Sequence, residues 1–163
     1  MILEFTDPAA AESAVSGGKG ASLAKLTQGG FPVPPGIIVP AAAYRAFVEA
    51  VPGLDALAGA LNPRDAAGLH ARCAGIRATL VAAPLPAELE AALRARLPAL
   101  LDGHRVSVRS SATLEDLAGA AFAGQHDTYL DVRGVEGVLD AVRRCWASLW
   151  EDRAVRYRHE RGF

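Results

Sequence analysis

The sequence predicts an α+β fold, a small mixed or antiparallel sheet flanked by helices, and two observations carry that prediction. In the first, Val106 and Val108 alternate with Arg105, Ser107 and Arg109. Further on, Thr128, Leu130 and Val132 alternate with Asp127, Tyr129 and Asp131, again the period-two signature of strands. The second observation is a set of apolar stripes at helical spacing. These are Leu69, Cys73, Ile76 and Leu80; Leu89, Leu93, Leu97 and Leu100; and Val135, Val138, Leu139, Val142, Trp146 and Leu149. A chain of 163 residues suits one domain or two small lobes and can bury a core.

Composition narrows the function classes. Hydrophobic residues make up 51% and charged residues 21%, which is globular and not disordered. A net charge of −1 gives no general attraction to nucleic acid or anionic membrane. The opening MILEFTDP is acidic and short of apolar residues, unlike a signal peptide. No apolar run approaches the roughly 20 residues that cross a bilayer. A soluble, cytoplasmic chain is expected. Cys73 and Cys145 fall on helical stripes without metal spacing and are expected to be buried free thiols. Of 17 basic residues only Lys19 and Lys25 are lysine, so each lysine gains some weight as a chemical choice.

In chain order, Ile2 to Phe5 reads as a short strand and Thr6 to Ala14 as an acidic connector. Glycines surround Lys19 at positions 17, 18 and 20, and Ala21, Leu23, Ala24 and Leu26 continue as an apolar helical stripe. Gly29 and Gly30 end that helix. Pro32, Pro34 and Pro35 force an extended path, and Ile37 to Val39 form a buried strand. A helix from Pro40 to Ala50 turns Tyr44, Phe47 and Val48 to the core. Val51 to Leu61, with Pro52, Gly53 and Gly59, reads as a loop or broken helix. Asn62-Pro63 supplies cap and first position of the next helix. Another begins near Pro86, with Glu88 and Glu90 early and Arg94 and Arg96 later, as the helix dipole favours; Pro98 kinks or ends it. Gly134 to Trp150 forms the clearest helix, with Arg143 and Arg144 on its outer face.

Two stretches carry chemistry. A glycine-rich turn feeding a helix is an anion site by construction, because free N–H groups and the positive dipole end point outward. The G-x-x-x-x-G-K-[ST] spacing of a Walker A loop is absent here, and taken alone the stretch fits a plain turn with a solvated lysine better. The stretch 106–132 places Arg109 beside a small-residue turn, Gly119 to Gly124, whose backbone can approach a ligand closely. A fixed arginine next to such a loop suits a polyphosphate; a hairpin with a solvated polar face is the alternative. The tail, with Arg153, Arg156, Arg158 and Arg161 among acids, favours a salt-bridged surface over a nucleic-acid interface.

Three blocks together resemble one family: GGKGASLAKLTQGGFPVPPGIIVPAAAYRAF, VSVRSSATLEDLAGAAFAGQHDTYLDV and CWASLWEDRAVRYRHERGF. The family is the N-terminal nucleotide-binding domain of phosphoenolpyruvate synthase, pyruvate phosphate dikinase and rifampin phosphotransferase. The resemblance runs nearly end to end and is weakest from Val51 to His104. It implies an ATP-grasp-type fold in which two lobes close over Mg-ATP. A phosphoryl group then passes to a histidine on a separate domain and on to pyruvate or a rifamycin-like acceptor. By the resemblance, Lys19, Arg109, Gly124, Gln125 and Thr128 are the phosphate-binding residues. The implied cofactors are ATP and Mg2+, and no catalytic or metal-binding residue is assigned to this stretch. Structural roles are expected for Glu115, Asp116 and Asp127, with magnesium ligation as the alternative. Ala121 and Ala118 depart from the serine and proline common in the family. The chain reads as a first lobe. The second lobe, with the metal ligands, and the phosphohistidine domain are the implied partners, on the same or another chain, without nucleic acid or membrane. The isolated chain is expected to be inactive. A stand-alone binding module that kept the fold without catalysis is the alternative.

Overall fold

A computed structural model describes residues 2–111 and 127–160. Among these residues two antiparallel ladders lie beside a largely helical body. Strand β1 (Leu3–Glu4) pairs with β2 (Ile37–Ile38), Leu3 opposite Ile38 and Glu4 opposite Ile37. The expected acidic connector is structured: Pro8–Ala11 forms a 3-10 turn and α1 (Ser13–Gln28) begins soon after. Pro8 has its φ set for such a turn by its ring.

Helix α1 is two segments joined at Gly17, whose φ of 66° and ψ of 170° are not helical. Its far end stops as the paired glycines predict. The Gly30 N–H donates to Thr27 O at 3.0 Å and the Phe31 N–H to Leu26 O at 3.0 Å. Gly30 adopts φ of 78°, which completes a Schellman cap. Leu26 and Phe31 stay exposed at 44% and 62%, so Leu26 does not join the buried stripe. Ala21 and Ala24 carry it.

The main core gathers Phe47 of α2 (Ala41–Ala50), Leu54 of α3 (Leu54–Gly59), Ile76 and Leu80 of α4 (Ala66–Ala82) and Leu89, Leu93 and Leu97 of α5 (Ala87–Leu101). Val138, Leu139 and Val142 of α6 (Gly134–Ser148) complete it. Leu69 and Cys73 of α4 pack with Val155 of α7 (Asp152–Glu160) in a smaller cluster. Helix α6 packs against α4, α5 and the hairpin of β3 (Val106–Arg109) and β4 (Thr128–Val132).

Several expectations need correction. Helix α4 starts at Ala66, not at Asn62-Pro63: the Asp65 carboxylate accepts the Gly68 N–H at 3.1 Å. Asn62 instead accepts the Arg64 N–H at 3.1 Å, a local Asx turn. A carboxylate gains from the helix dipole where an amide does not, so Asp65 caps. Helix α5 passes through Pro98 and ends at Leu101, because a proline in the last turn costs only one hydrogen bond. Leu101, not Leu100, then closes its buried stripe. Helix α6 ends at Ser148, with Trp146, Leu149 and Arg143 half-buried. Trp146 packs against the rings of Phe47 at 4.9 Å and Tyr44 at 5.7 Å.

The faces of β4 also change. Val106 pairs with Val132, but Val108 pairs with Tyr129, so two residues of β4 oppose Ser107 alone. This is a bulge, with Asp131 at φ of 56°. It places Tyr129 and Val132, not Leu130 and Val132, on the inner side and leaves Leu130 66% exposed.

Candidate functional site

The glycine turn and the end of β3 meet, although they lie about ninety positions apart. Gly17 takes a conformation that is essentially open to glycine alone. From it the chain enters the segment of α1 that carries Lys19, whose side chain is exposed while Gly18 and Gly20 are buried. Ser111 lies directly over this turn: the Gly20 N–H donates to its Oγ at 3.1 Å. A Cβ on Gly17 would overlap both the carbonyl and the hydroxyl of Ser111. The glycine is therefore required twice, by its φ and by this approach.

Ser111 follows Arg109 by two residues. The alternation on β3 holds: Val106 and Val108 turn inward, and Arg105, Ser107 and Arg109 are exposed. Arg109 pairs directly with Thr128 across the hairpin, and both side chains are exposed. Directly opposed residues present their side chains on the same face. Two of the phosphate-binding residues named by the resemblance are thus cross-strand neighbours, and the segment bearing Lys19 adjoins the end of the same strand. Gly124 and Gln125 lie outside the described residues, as do Glu115, Asp116, Ala118 and Ala121.

Helix α6 holds the hairpin from behind, through residues whose role the sequence reading missed. The Cys145 thiol lies within reach of Val108 O at 3.7 Å and Asp127 O at 3.8 Å. Ser148 Oγ accepts the Asp127 N–H at 3.4 Å and donates to Cys145 O at 2.7 Å. A thiol and a hydroxyl three positions apart on a buried helix face were the available signal. Burial first, and then the Asp127 charge, pushes the Cys145 thiol up to about 12. Such a thiol is not a nucleophile at neutral pH, so its part here is to pack and pin. Cys73 is likewise a buried free thiol.

Among the described residues no group of three or more His, Cys, Asp or Glu side chains converges. The Asp127 carboxylate accepts from Tyr129 Oη at 3.2 Å and Arg153 Nη2 at 3.4 Å. Burial, followed by the Asp127 charge, raises the Tyr129 phenol to about 12. In the basic tail, Arg153 pairs with Asp127 and the Arg158 guanidinium lies 5.8 Å from the Trp150 ring. No helix among the described residues is long and apolar enough to cross a membrane. The corner brings an exposed guanidinium and a hydroxyl, Arg109 and Thr128, to the end of the strand that adjoins the Lys19 segment, and such groups suit an anion.

The chain is 43% identical over 91% of its length to a probable phosphoenolpyruvate synthase of Methanothermobacter thermautotrophicus, of which it covers 23%. It is 42% identical over 96% of its length to a prodigiosin-synthesizing transferase of Serratia marcescens, of which it covers 16%. A rifampicin phosphotransferase of Streptomyces sviceus is 41% identical over 99% of this chain, which covers 19% of that protein. The chain thus spans less than a quarter of the length of each of these relatives. The family model of the pyruvate phosphate dikinase AMP/ATP-binding domain matches residues 13–163, and the chain belongs to that family.

Proposed function

We propose that this chain is the first, phosphate-holding lobe of an ATP-grasp-type site in a dikinase-type phosphotransferase. In this reading Lys19, Arg109 and Thr128, with Gly124 and Gln125, hold the ATP phosphates. A phosphoryl group leaves ATP for a histidine on another domain, which delivers it to pyruvate or a rifamycin-like acceptor. Phosphoryl transfer asks a protein mainly for positioning and charge neutralisation. Arg109 suits the first task, because its planar guanidinium binds two oxygens at once, and Lys19 adds a compact charge. The observation that carries the reading is the contact of Ser111 with Gly17 and Gly20, which joins the arginine strand to the lysine segment. Mg2+ accompanies ATP in this chemistry, held as a rule by one or two carboxylates together with the phosphates. Its ligands are assigned to a second lobe. Half a clamp does not exclude water, so the isolated chain is expected to bind Mg-ATP weakly and to transfer nothing.

The test is an amide NMR titration of the chain with Mg-ATP, which reads weak binding residue by residue. Amides of Gly18, Lys19, Gly20 and Arg109 should shift together. In the full-length enzyme Arg109→Ala should weaken nucleotide use about ten- to a hundredfold, as the loss of a charge-assisted pair does. Arg109→Lys should restore only part of it, and Lys25→Ala, on an exposed helix position, should have little effect. Shifts confined to another face, or equal losses for Lys25→Ala and Arg109→Ala, would defeat the assignment.

A further inference from the structure

We propose that Ser111 is a positioning residue of this site, which caps the Lys19 helix segment across the fold and so fixes Lys19 relative to Arg109. The inference rests on the phosphate-site reading above and adds a residue to it. The helical run from Gly18 to Gln28 begins without a local cap. Gly17, at the cap position, has no side chain, and the neighbouring Ser16 Oγ is buried without a hydrogen-bond partner among the described residues. A helix start leaves its first N–H groups unsatisfied, and a side-chain oxygen on the third one is the usual remedy. Gly20 is the third residue of this run, and the oxygen it finds belongs to Ser111. The cap is therefore supplied by the strand that carries Arg109.

That origin has a geometric consequence. Two extended residues span at most about 7 Å, so Arg109 lies within that reach of a serine bonded to the amide next to Lys19. The fit is close, because the Ser111 carbonyl and hydroxyl fill the space a Gly17 side chain would need. Opposite Arg109 stands Thr128. One hydroxyl thus sets the distance between the lysine and the arginine–threonine pair. Without it the helix start and the strand end are free to separate, and two cations that no longer converge bind one polyphosphate less well.

The test uses the 163-residue chain, amide hydrogen exchange, and titration with Mg-ATP and with adenosine. In the unsubstituted chain the Gly20 amide should be protected; exchange as fast as an open amide would overturn the cap outright, whatever the variants do. Ser111→Ala should speed Gly20 exchange about fivefold, the usual effect of a lost cap. It should weaken Mg-ATP binding while leaving adenosine binding unchanged. Ser111→Thr, which keeps the hydroxyl, should hold Gly20 protection near the parent value. Faster Gly20 exchange in Ser111→Ala with unchanged Mg-ATP affinity would make the contact merely structural and overturn the proposal. Equal losses for ATP and adenosine would do the same. The phosphate reading fails separately, if Lys19→Ala and Arg109→Ala leave Mg-ATP binding unchanged.

Discussion

Gly17→Ala should be among the most damaging single-methyl additions in this chain. Gly17 holds φ of 66° and ψ of 170°, a combination that costs a residue with a side chain about 1–3 kcal/mol. The new Cβ would also occupy the place of the Ser111 carbonyl and hydroxyl. Backbone is poor at yielding, and overpacking of this kind costs a further 1–3 kcal/mol or so. The sum, about 2–6 kcal/mol, is a large part of the roughly 5–15 kcal/mol that holds a typical domain together. Gly75→Ala is the matched control. Gly75 lies inside α4, and a Cβ added there would meet nothing within 4 Å, so alanine should stabilise by about 0.5–1 kcal/mol. Urea unfolding followed by the fluorescence of Trp146 and Trp150 measures both. A Gly17→Ala midpoint equal to that of the parent chain, with Gly75→Ala shifted upward, would refute the close approach of Ser111.

Trp146→Ala should cost about 2–4 kcal/mol by the same assay. That is less than Phe47→Ala, since Trp146 is half-buried and Phe47 is fully enclosed and large aromatics lose most when enclosed. Asp65→Ala should cost about 1 kcal/mol through the lost cap of α4, and Asn62→Ala less, because Asn62 serves only a turn. Alkaline stability follows from the buried thiol. Cys145 titrates near 9.0 when unfolded and is raised to about 12 in the fold, so its contribution is complete below about pH 9. It falls away as the pH climbs toward 12, because the unfolded chain then sheds a proton that the fold retains. Tyr129, raised from 10.0 to about 12, acts in the same direction. Stability measured from about pH 8 to 11 should therefore decline, and Cys145→Ala should flatten the early part of that decline. At about pH 8 a thiol alkylator should leave Cys145 unmodified until urea is added.

Periodicity in the sequence was enough to place the stripes of α4 and α6, the inward valines of β3 and the glycine stop of α1. Each is a local consequence of side-chain spacing or of a backbone that only glycine adopts. The family was legible for a related reason: its blocks are contiguous runs. Boundaries were harder. The competition between Asn62 and Asp65 for the cap turns on which oxygen reaches Gly68, and the passage of α5 through Pro98 depends on how near the helix end lies. The bulge in β4 was invisible, because alternation assumes an unbroken register and Asp131 breaks it. The site divides in the same way. The sequence singles out Lys19 and Arg109 by residue type and neighbours. That the turn before Lys19 is closed by Ser111, that Thr128 faces Arg109, and that Cys145 and Ser148 pin the hairpin are contacts between residues 18 to 91 positions apart. Side-chain spacing along one element carries no information about such distances; packing around α6 and the glycine turn decides them.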